Sequence, residues 1–378
     1  MLEFIGQFFA GLLIGYLSLT NALAAGIQQI LPHGIGPIAT DIQNFRPKEP
    51  EIILNISEKD PKGVIPKVLL EHSAFQKAAV LASSHDEEVP LESDLSLEER
   101  IEAALVNIYC QYKTDSYIRT TTGTGFFINS KGIILTNAHV AQFLLLEDTR
   151  DIVKDVDCVI RSGDPATPRY KAELLYISPT WIFENSNVIT EESPRGTGER
   201  DYALLYISKS TDNSPLPARF PSIAVNTDLL SRSTEQSQVL TAGYPAEALL
   251  RNGADAKLAP VVASTTVGTL YTFGSNFADI FSINESPVGE QGASGGPIVA
   301  PTQEVIGLIV TKGDEDSEGI NSLRALTLSY VDRTIIEETG FSLSQNMQGD
   351  VAYRGTIFKQ AMVPFLAGIL QDELNSAQ

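Results

Sequence analysis

Gly289-Glu290-Gln291-Gly292-Ala293-Ser294-Gly295-Gly296-Pro297-Ile298-Val299 is the stretch on which the fold turns. Small residues crowd around one hydroxyl, and an apolar run from Val305 to Val310 follows. Glycines at 292, 295 and 296 free the backbone to take positive φ and to approach a ligand closely. A serine in such a bend can present its oxygen outward, where neighbouring N–H groups converge on a developing oxyanion. Taken alone, the stretch fits equally a glycine-rich hairpin with an ordinary turn serine.

The surrounding chain is strand-rich. Val106 to Tyr112, Gly123 to Ile128, Gly132 to Thr136, Asp157 to Ile160 and Lys171 to Ile177 are short and rich in branched or aromatic residues. Tyr202 to Ile207, Gln238 to Ala242, Val261 to Phe273, Ile280 to Ile283, Val305 to Val310 and Ala325 to Ser329 continue the series. Short strands between Gly, Pro, Asn and Ser turns predict an all-β antiparallel barrel or sandwich. No regular helix alternates with them, against a doubly wound sheet. Ser96-Leu97-Glu98-Glu99 is a capping box that starts a short helix. A helix is expected over Val331 to Thr339, and a second where Ile357, Phe358, Ala361, Met362, Phe365, Leu366, Ile369 and Leu370 recur at helical spacing. That stripe is expected to pack on the barrel or on a partner subunit, which leaves a homo-oligomer open. Two loops, Pro179 to Arg200 and Leu249 to Pro260, read as surface insertions near a site.

The 378 residues are 43% hydrophobic and 20% charged, a globular composition. The net charge of −20, with no basic run, excludes nucleic acid as a partner, because phosphate neutralisation needs clustered Lys and Arg. Cys110 and Cys158 have no metal-ligand spacing, and no metal or organic cofactor is implied. Whether the two pair stays open, because sequence fixes no distance between them.

Phe4 to Leu19 is almost wholly apolar and precedes Ala22-Leu23-Ala24, so residues 1–25 read as a signal peptide. Glu3 and the lack of any preceding Lys or Arg depart from that pattern, so an uncleaved membrane anchor through residues 4–19 stays open beside it, as does a buried helix. Export, as a periplasmic, secreted or outward-facing tethered protein, is the expectation. Residues 26–95, rich in proline, read as a linker or pro-segment, and His33, His72 and His85 within it as surface residues. Residues 96–340 form the main domain and 341–378 a helical tail.

A serine nucleophile needs a base to take its proton and a group to orient that base. Among four histidines, His139 stands apart, in Thr136-Asn137-Ala138-His139-Val140 at the end of an apolar strand. The hairpin partner Gly123-Thr124-Gly125-Phe126-Phe127-Ile128 leads into it. Asp201 opens the otherwise apolar Asp201-Tyr202-Ala203-Leu204-Leu205-Tyr206-Ile207, where a carboxylate is costly unless hydrogen-bonded. Asp155 and Asp157 are the reserve acids. Gly292-Ala293-Ser294-Gly295-Gly296 also satisfies G-x-S-x-G, but that elbow requires a later histidine and none follows. The order His139, Asp201, Ser294 remains.

The three blocks around these residues resemble the signatures of trypsin-like serine peptidases of the chymotrypsin fold, over roughly Leu105 to Thr339. They are closer to the bacterial stress-protease-like branch, although too few residues follow Thr339 for a PDZ domain. The resemblance implies two antiparallel six-stranded barrels with a site in the cleft between them. It implies a serine endopeptidase acting on proteins or peptides, with Ser294 as nucleophile, His139 as base and acid, and Asp201 orienting His139. It also implies an oxyanion hole from the N–H groups of Gly292 and Ser294 and a substrate pocket at Val288, Val310 and Lys312. Ala293 replaces the aspartate of digestive enzymes, and no Ile-Val-Gly-Gly start precedes the barrel, so activation by a buried new N-terminus is not expected. With no acid near Val288, Lys or Arg at the cleavage point is not expected either. A non-catalytic binding protein on the same fold and an esterase with the same triad are the competing readings.

Overall fold

The computed structural model describes residues 51–52, 95–113, 118–147, 155–191, 197–246, 257–288, 292–312 and 322–376. The readings of residues 1–25, of His33, His72 and His85, and of most of the Leu249 to Pro260 loop lie outside them. Among the described residues no helix is long and apolar enough to cross a membrane.

Six strands close the first barrel: β2 (Leu105–Lys113), β3 (Ile118–Phe127), β4 (Ile133–Thr136), β5 (Asp155–Ser162), β6 (Thr167–Ile177) and β7 (Ala203–Ser210). They pair antiparallel in the order β2-β3-β4-β7-β6-β5. The second barrel comprises β8 (Gln238–Gly243), β9 (Val261–Thr272), β10 (Ile280–Asn284), β11 (Pro297–Val299), β12 (Val305–Lys312) and β13 (Leu323–Thr327). Its order is β9-β10-β13-β12-β11-β8, and pairing of β8 with β9 closes the ring. A two-residue strand, β1 (Glu51–Ile52), pairs with β9 at Thr272 and Tyr271, beyond the end of β8. The chain is therefore all-β in the chymotrypsin-like manner, two six-stranded antiparallel barrels with helices at the C-terminal end.

The strands read as continuous apolar runs because their two faces enter different cores. On β4, Ile134 packs inside the first barrel while Ile133 and Leu135 face the layer between the barrels. On β12, Ile306 and Ile309 fill the second barrel, and Val305, Leu308 and Val310 join that same intermediate layer. A strand buried on both faces loses the polar alternation of a half-exposed one. The site grows where this intermediate layer reaches solvent.

Cys110 and Cys158, directly opposite each other on β2 and β5, form a disulfide with 4.0 Å between their Cα atoms. Both are buried in the first barrel.

Seven α-helices and three short 3-10 helices among the described residues complete the fold, the α-helices being α1 (Leu97–Ala104), α2 (Ala138–Ala141), α3 (Pro179–Glu184), α4 (Leu328–Thr339), α5 (Leu343–Asn346), α6 (Val351–Ala361) and α7 (Val363–Ser376). The capping box on α1 is formed, with Ser96 and Glu99 each bonding the other's backbone N–H. Two expectations are corrected, and one strand is additional to those expected. Strand β11 was hidden in the glycine-rich stretch, being only three residues long. Ser329 belongs to α4, not to a strand, because Thr327 caps that helix by accepting from the Tyr330 N–H. The C-terminal stripe is two helices rather than one. Pro364 has no N–H for the Gln360 carbonyl and its ring crowds it, so the helix breaks at Met362. Val363, Leu366, Ala367, Leu370 and Leu374 of α7 are buried against the first barrel's core. Each fully buried leucine there contributes about 2 kcal/mol.

Candidate active site

His139 sits in α2, one turn of helix that follows directly on β4. Asn137 precedes it in extended conformation and anchors the turn, its Nδ2 donating to the Asp201 carbonyl at 2.9 Å. Asp201 stands just before β7, which pairs with β4, so sheet register alone brings the two segments together. The carboxylate then makes two bonds to one residue. Oδ1 accepts from the His139 backbone N–H at 2.9 Å, and Oδ2 lies 2.6 Å from Nδ1 of its ring. With Asp201 5% exposed, this carboxylate is desolvated and held in one orientation. Its Oδ2 favours a proton on Nδ1 of a neutral His139, leaving Nε2 as the acceptor. The reserve acids are elsewhere: Asp157 is exposed and paired with Lys171, and Asp155 opens β5.

Asp201 is itself held from the other barrel. Arg200, before it, has φ of 56°, in the left-handed region that a non-glycine residue avoids. Helix α4 secures it there. The Arg200 N–H donates to the Tyr330 hydroxyl at 3.2 Å, and its guanidinium meets Glu338 at 2.9 Å and Glu337 at 2.8 Å. Glu338 also accepts from Ser178 at 3.0 Å and from the Tyr176 hydroxyl. Burial pushes the Tyr176, Tyr202 and Tyr330 phenols far up, so each stays neutral, Tyr176 donating to Glu338 and Tyr330 accepting from the Arg200 N–H.

The Ser294 loop comes from the second barrel and is fastened to the first at Thr124 on β3. The Thr124 N–H donates to the Ser294 carbonyl at 2.8 Å. Its hydroxyl donates to the Gly292 carbonyl at 2.6 Å and accepts from the Tyr244 N–H at 2.9 Å. The Thr124 carbonyl in turn accepts from the Thr136 hydroxyl at 2.7 Å. Thr136 lies three residues before His139, so one chain of bonds joins the Ser294 loop and the histidine turn. This closeness requires glycine. A Cβ on Gly295, whose φ is 87°, would lie 1.9 Å from the Thr124 carbonyl oxygen. A Cβ on Gly292, φ 96°, would meet the Tyr244 carbonyl at 2.6 Å. Ser294 itself is half-buried. Among the described residues no hydrogen bond joins its hydroxyl to His139; apo sites commonly close that bond only around substrate.

A shallow, solvent-open cleft adjoins His139 and Asp201. Trp181 of α3, Asn185, Val188, Gly198, Glu199, Val310 and Thr311 wall it. The Pro179 to Arg200 loop is thus at the site, but it is no polar surface insertion: Trp181, Ile182, Val188 and Ile189 are buried beneath α7. Of the three expected pocket residues, only Val310 lines this cleft. Val288 is fully buried and close to Gly243, and Lys312 is exposed at the end of β12. Sequence reasoning missed Thr124, Thr136, Arg200, Glu338 and Glu199. Flanking glycines at 123 and 125 were the one available signal for Thr124.

Among the described residues no group of three or more His, Cys, Asp or Glu side chains could hold a metal ion. Residues 123–308 match the family model of the trypsin-like peptidase domain. No curated protein matches the chain. Similar solved structures include the active form of the Rv3671c protease from M. tuberculosis, at 20% identity over 65% of this chain and 85% of that one, with a TM-score of 0.37. An inactive mutant of that protease from M. tuberculosis H37Rv aligns at 18% identity over 66% and 93%, with a TM-score of 0.39. Residues 123–308 are thus similar to a trypsin-like peptidase domain, and the two barrels and the glycine-bound serine loop agree with that likeness.

Proposed function

We propose that the chain is a serine endopeptidase that hydrolyses peptide bonds in proteins through an acyl-enzyme on Ser294. The observation that carries this reading is the doubly anchored His139–Asp201 pair on β4 and β7, set beside a serine loop bonded to the adjoining strand β3 at Thr124. In this mechanism Ser294 Oγ attacks the scissile carbonyl while His139 Nε2 takes its proton. The imidazolium is stabilised by Asp201 and then gives that proton to the leaving amine; water reverses the sequence to free the acid. The N–H groups of Gly292 and Ser294 face the oxyanion, and one such donor contributes on the order of 3 kcal/mol. Beyond Leu308, β12 pairs with β13 along one edge, and among the described residues Val310 to Lys312 have no strand partner on the other. A substrate chain adds to that edge as an extra strand.

The disulfide supports export, since such bonds persist in oxidising compartments. A fluorophosphonate probe tests the chemistry. It is expected to label Ser294 in the wild-type protein and to leave Ser294→Ala unlabelled, with casein cleavage lost in parallel. A folded protein that resists the probe ends the proposal, and ester turnover without peptide cleavage replaces it with an esterase.

A further inference from the structure

The cleft beside His139 holds a carboxylate for which the hydrolysis above has no use. Glu199 lines it two residues before Asp201 and is half-buried. Its backbone N–H is bonded to the Thr197 hydroxyl at 3.2 Å. Its carboxylate, among the described residues, has no hydrogen bond or ion pair. The adjacent guanidinium of Arg200 gives it no direct contact, being committed to Glu337 and Glu338. Glu184, at the end of α3, adds a second negative charge nearby. Desolvation first, and Glu184 next, raise the Glu199 carboxyl above its ordinary value of 4.5. A partly desolvated carboxylate without a partner costs stability, and perturbed carboxylates of this kind concentrate at functional sites.

The walls define what would fit. Trp181 and Val188 supply an apolar flank for an aliphatic stem, and Asn185 and Thr311 bring polar groups to the same cleft. An open cleft with an apolar flank, beside a carboxylate that the Arg200 charge offsets only from a distance, matches a long side chain with a cationic tip. Gly292 and Val288 are not among the lining residues, and Val310 is the one expected pocket residue that is, so the cleft adjoins the expected pocket of the scissile residue at Val310 without including the oxyanion loop. It lies against the open edge of β12, where a neighbouring residue of an added strand would point.

We propose that this cleft is a subsite for a lysine or arginine side chain of the substrate, at a residue other than the one donating the scissile carbonyl, and that Glu199 selects it. The inference rests on the peptidase reading and specifies its substrate class: a chain with a basic residue close to the cleavage point.

The test compares peptides that differ only in Lys against norleucine at each of the three positions preceding the scissile residue. At one position wild type is expected to favour lysine, and Glu199→Gln is expected to reduce the lysine-to-norleucine ratio of kcat/KM about tenfold. Glu199→Lys should favour glutamate at that same position. The same peptides are titrated onto Ser294→Ala with and without Glu199→Gln, and the lysine peptide should bind about tenfold more weakly to the double variant. Absence of cleavage with this binding difference present sinks the peptidase reading and keeps the cationic subsite. Cleavage with a ratio indifferent to residue 199 overturns the subsite alone. Thermal unfolding adds a readout that a structural role would move the other way. Because the folded-state carboxyl is raised, its penalty is full above that raised value and disappears as pH falls below about 4.5. Glu199→Gln should therefore unfold at a higher temperature than wild type at pH 7, with the gain lost at pH 4. A lower temperature at pH 7 makes Glu199 a stabilising residue and overturns the subsite.

Discussion

The two barrels share a strand count and differ in how they hold their part of the site. The first fixes its contribution through sheet register and a covalent bond. Paired strands β4 and β7 deliver His139 and Asp201 side by side, β2 and β5 are tied by Cys110–Cys158, and α7 packs over the outside. The second barrel has no cysteine and presents Ser294 on a loop whose glycines could adopt many shapes. That loop is bonded to its own barrel at Ile309 and to the first barrel through Thr124. One barrel is thus a preformed platform, and the other lends it a serine loop that is also held across the interface. This division makes different mutations damaging on the two sides.

The largest effect is expected within the platform, at Asp201→Asn. Oδ1 faces a backbone N–H, which can only donate, so the asparagine must place its carbonyl oxygen there. Its NH₂ then faces His139 Nδ1 and forces the ring proton onto Nε2, where a base is needed. Activity should fall about 10⁴-fold with little loss of fold, read as kcat on any cleaved peptide. A decrease under tenfold would show that the His139–Asp201 contact is only structural. Next in size is the covalent tie. Replacing Cys110 and Cys158 together by serine releases a loop spanning 48 residues, worth about 4 kcal/mol of chain entropy. Urea unfolding should show a loss of that order. A loss below 1 kcal/mol would mean that strand pairing and α7 already suffice, and the contrast between the barrels would narrow.

What could be read from sequence follows the same division. His139 and Asp201 were legible because each sits at the end of an apolar strand, so local pattern and chemistry coincide. Ser294 was legible from its glycines and from the order of the three blocks. An antiparallel barrel or sandwich followed from the short strands, the division into two barrels from the resemblance, and the helix at Ser96 from its capping box. Thr124 was illegible because its role arises from a contact across 168 residues, and nothing local distinguishes it from other strand threonines. The Arg200–Glu338 tie is hidden for the same reason. Trp181 and Val188 were obscured by polar neighbours, since their burial depends on α7 from the far end of the chain. The break at Met362, by contrast, could have been read from Pro364 alone. Periodicity was allowed to override a residue that cannot donate.

Thr124→Val is the sharpest test of the interface itself and the smallest expected effect on stability. Valine keeps the shape but removes the hydroxyl that donates to Gly292 and accepts from Tyr244. Thr124 and Tyr244 are fully buried, so water cannot replace either bond. The stability cost should be about 2 kcal/mol for the unsatisfied pair, less than the disulfide. Activity should suffer more than this suggests. The Gly292 carbonyl is released, and with it the peptide planes that aim the Gly292 and Ser294 N–H groups. Misaiming one donor lowers kcat by about 10²-fold while leaving KM, set in the cleft and along β12, nearly unchanged. Thr124→Ser retains the hydroxyl and should restore kcat. If valine lowers stability but kcat stays within threefold, the loop holds its own shape, and the dependence of the second barrel on the first is lost as an explanation.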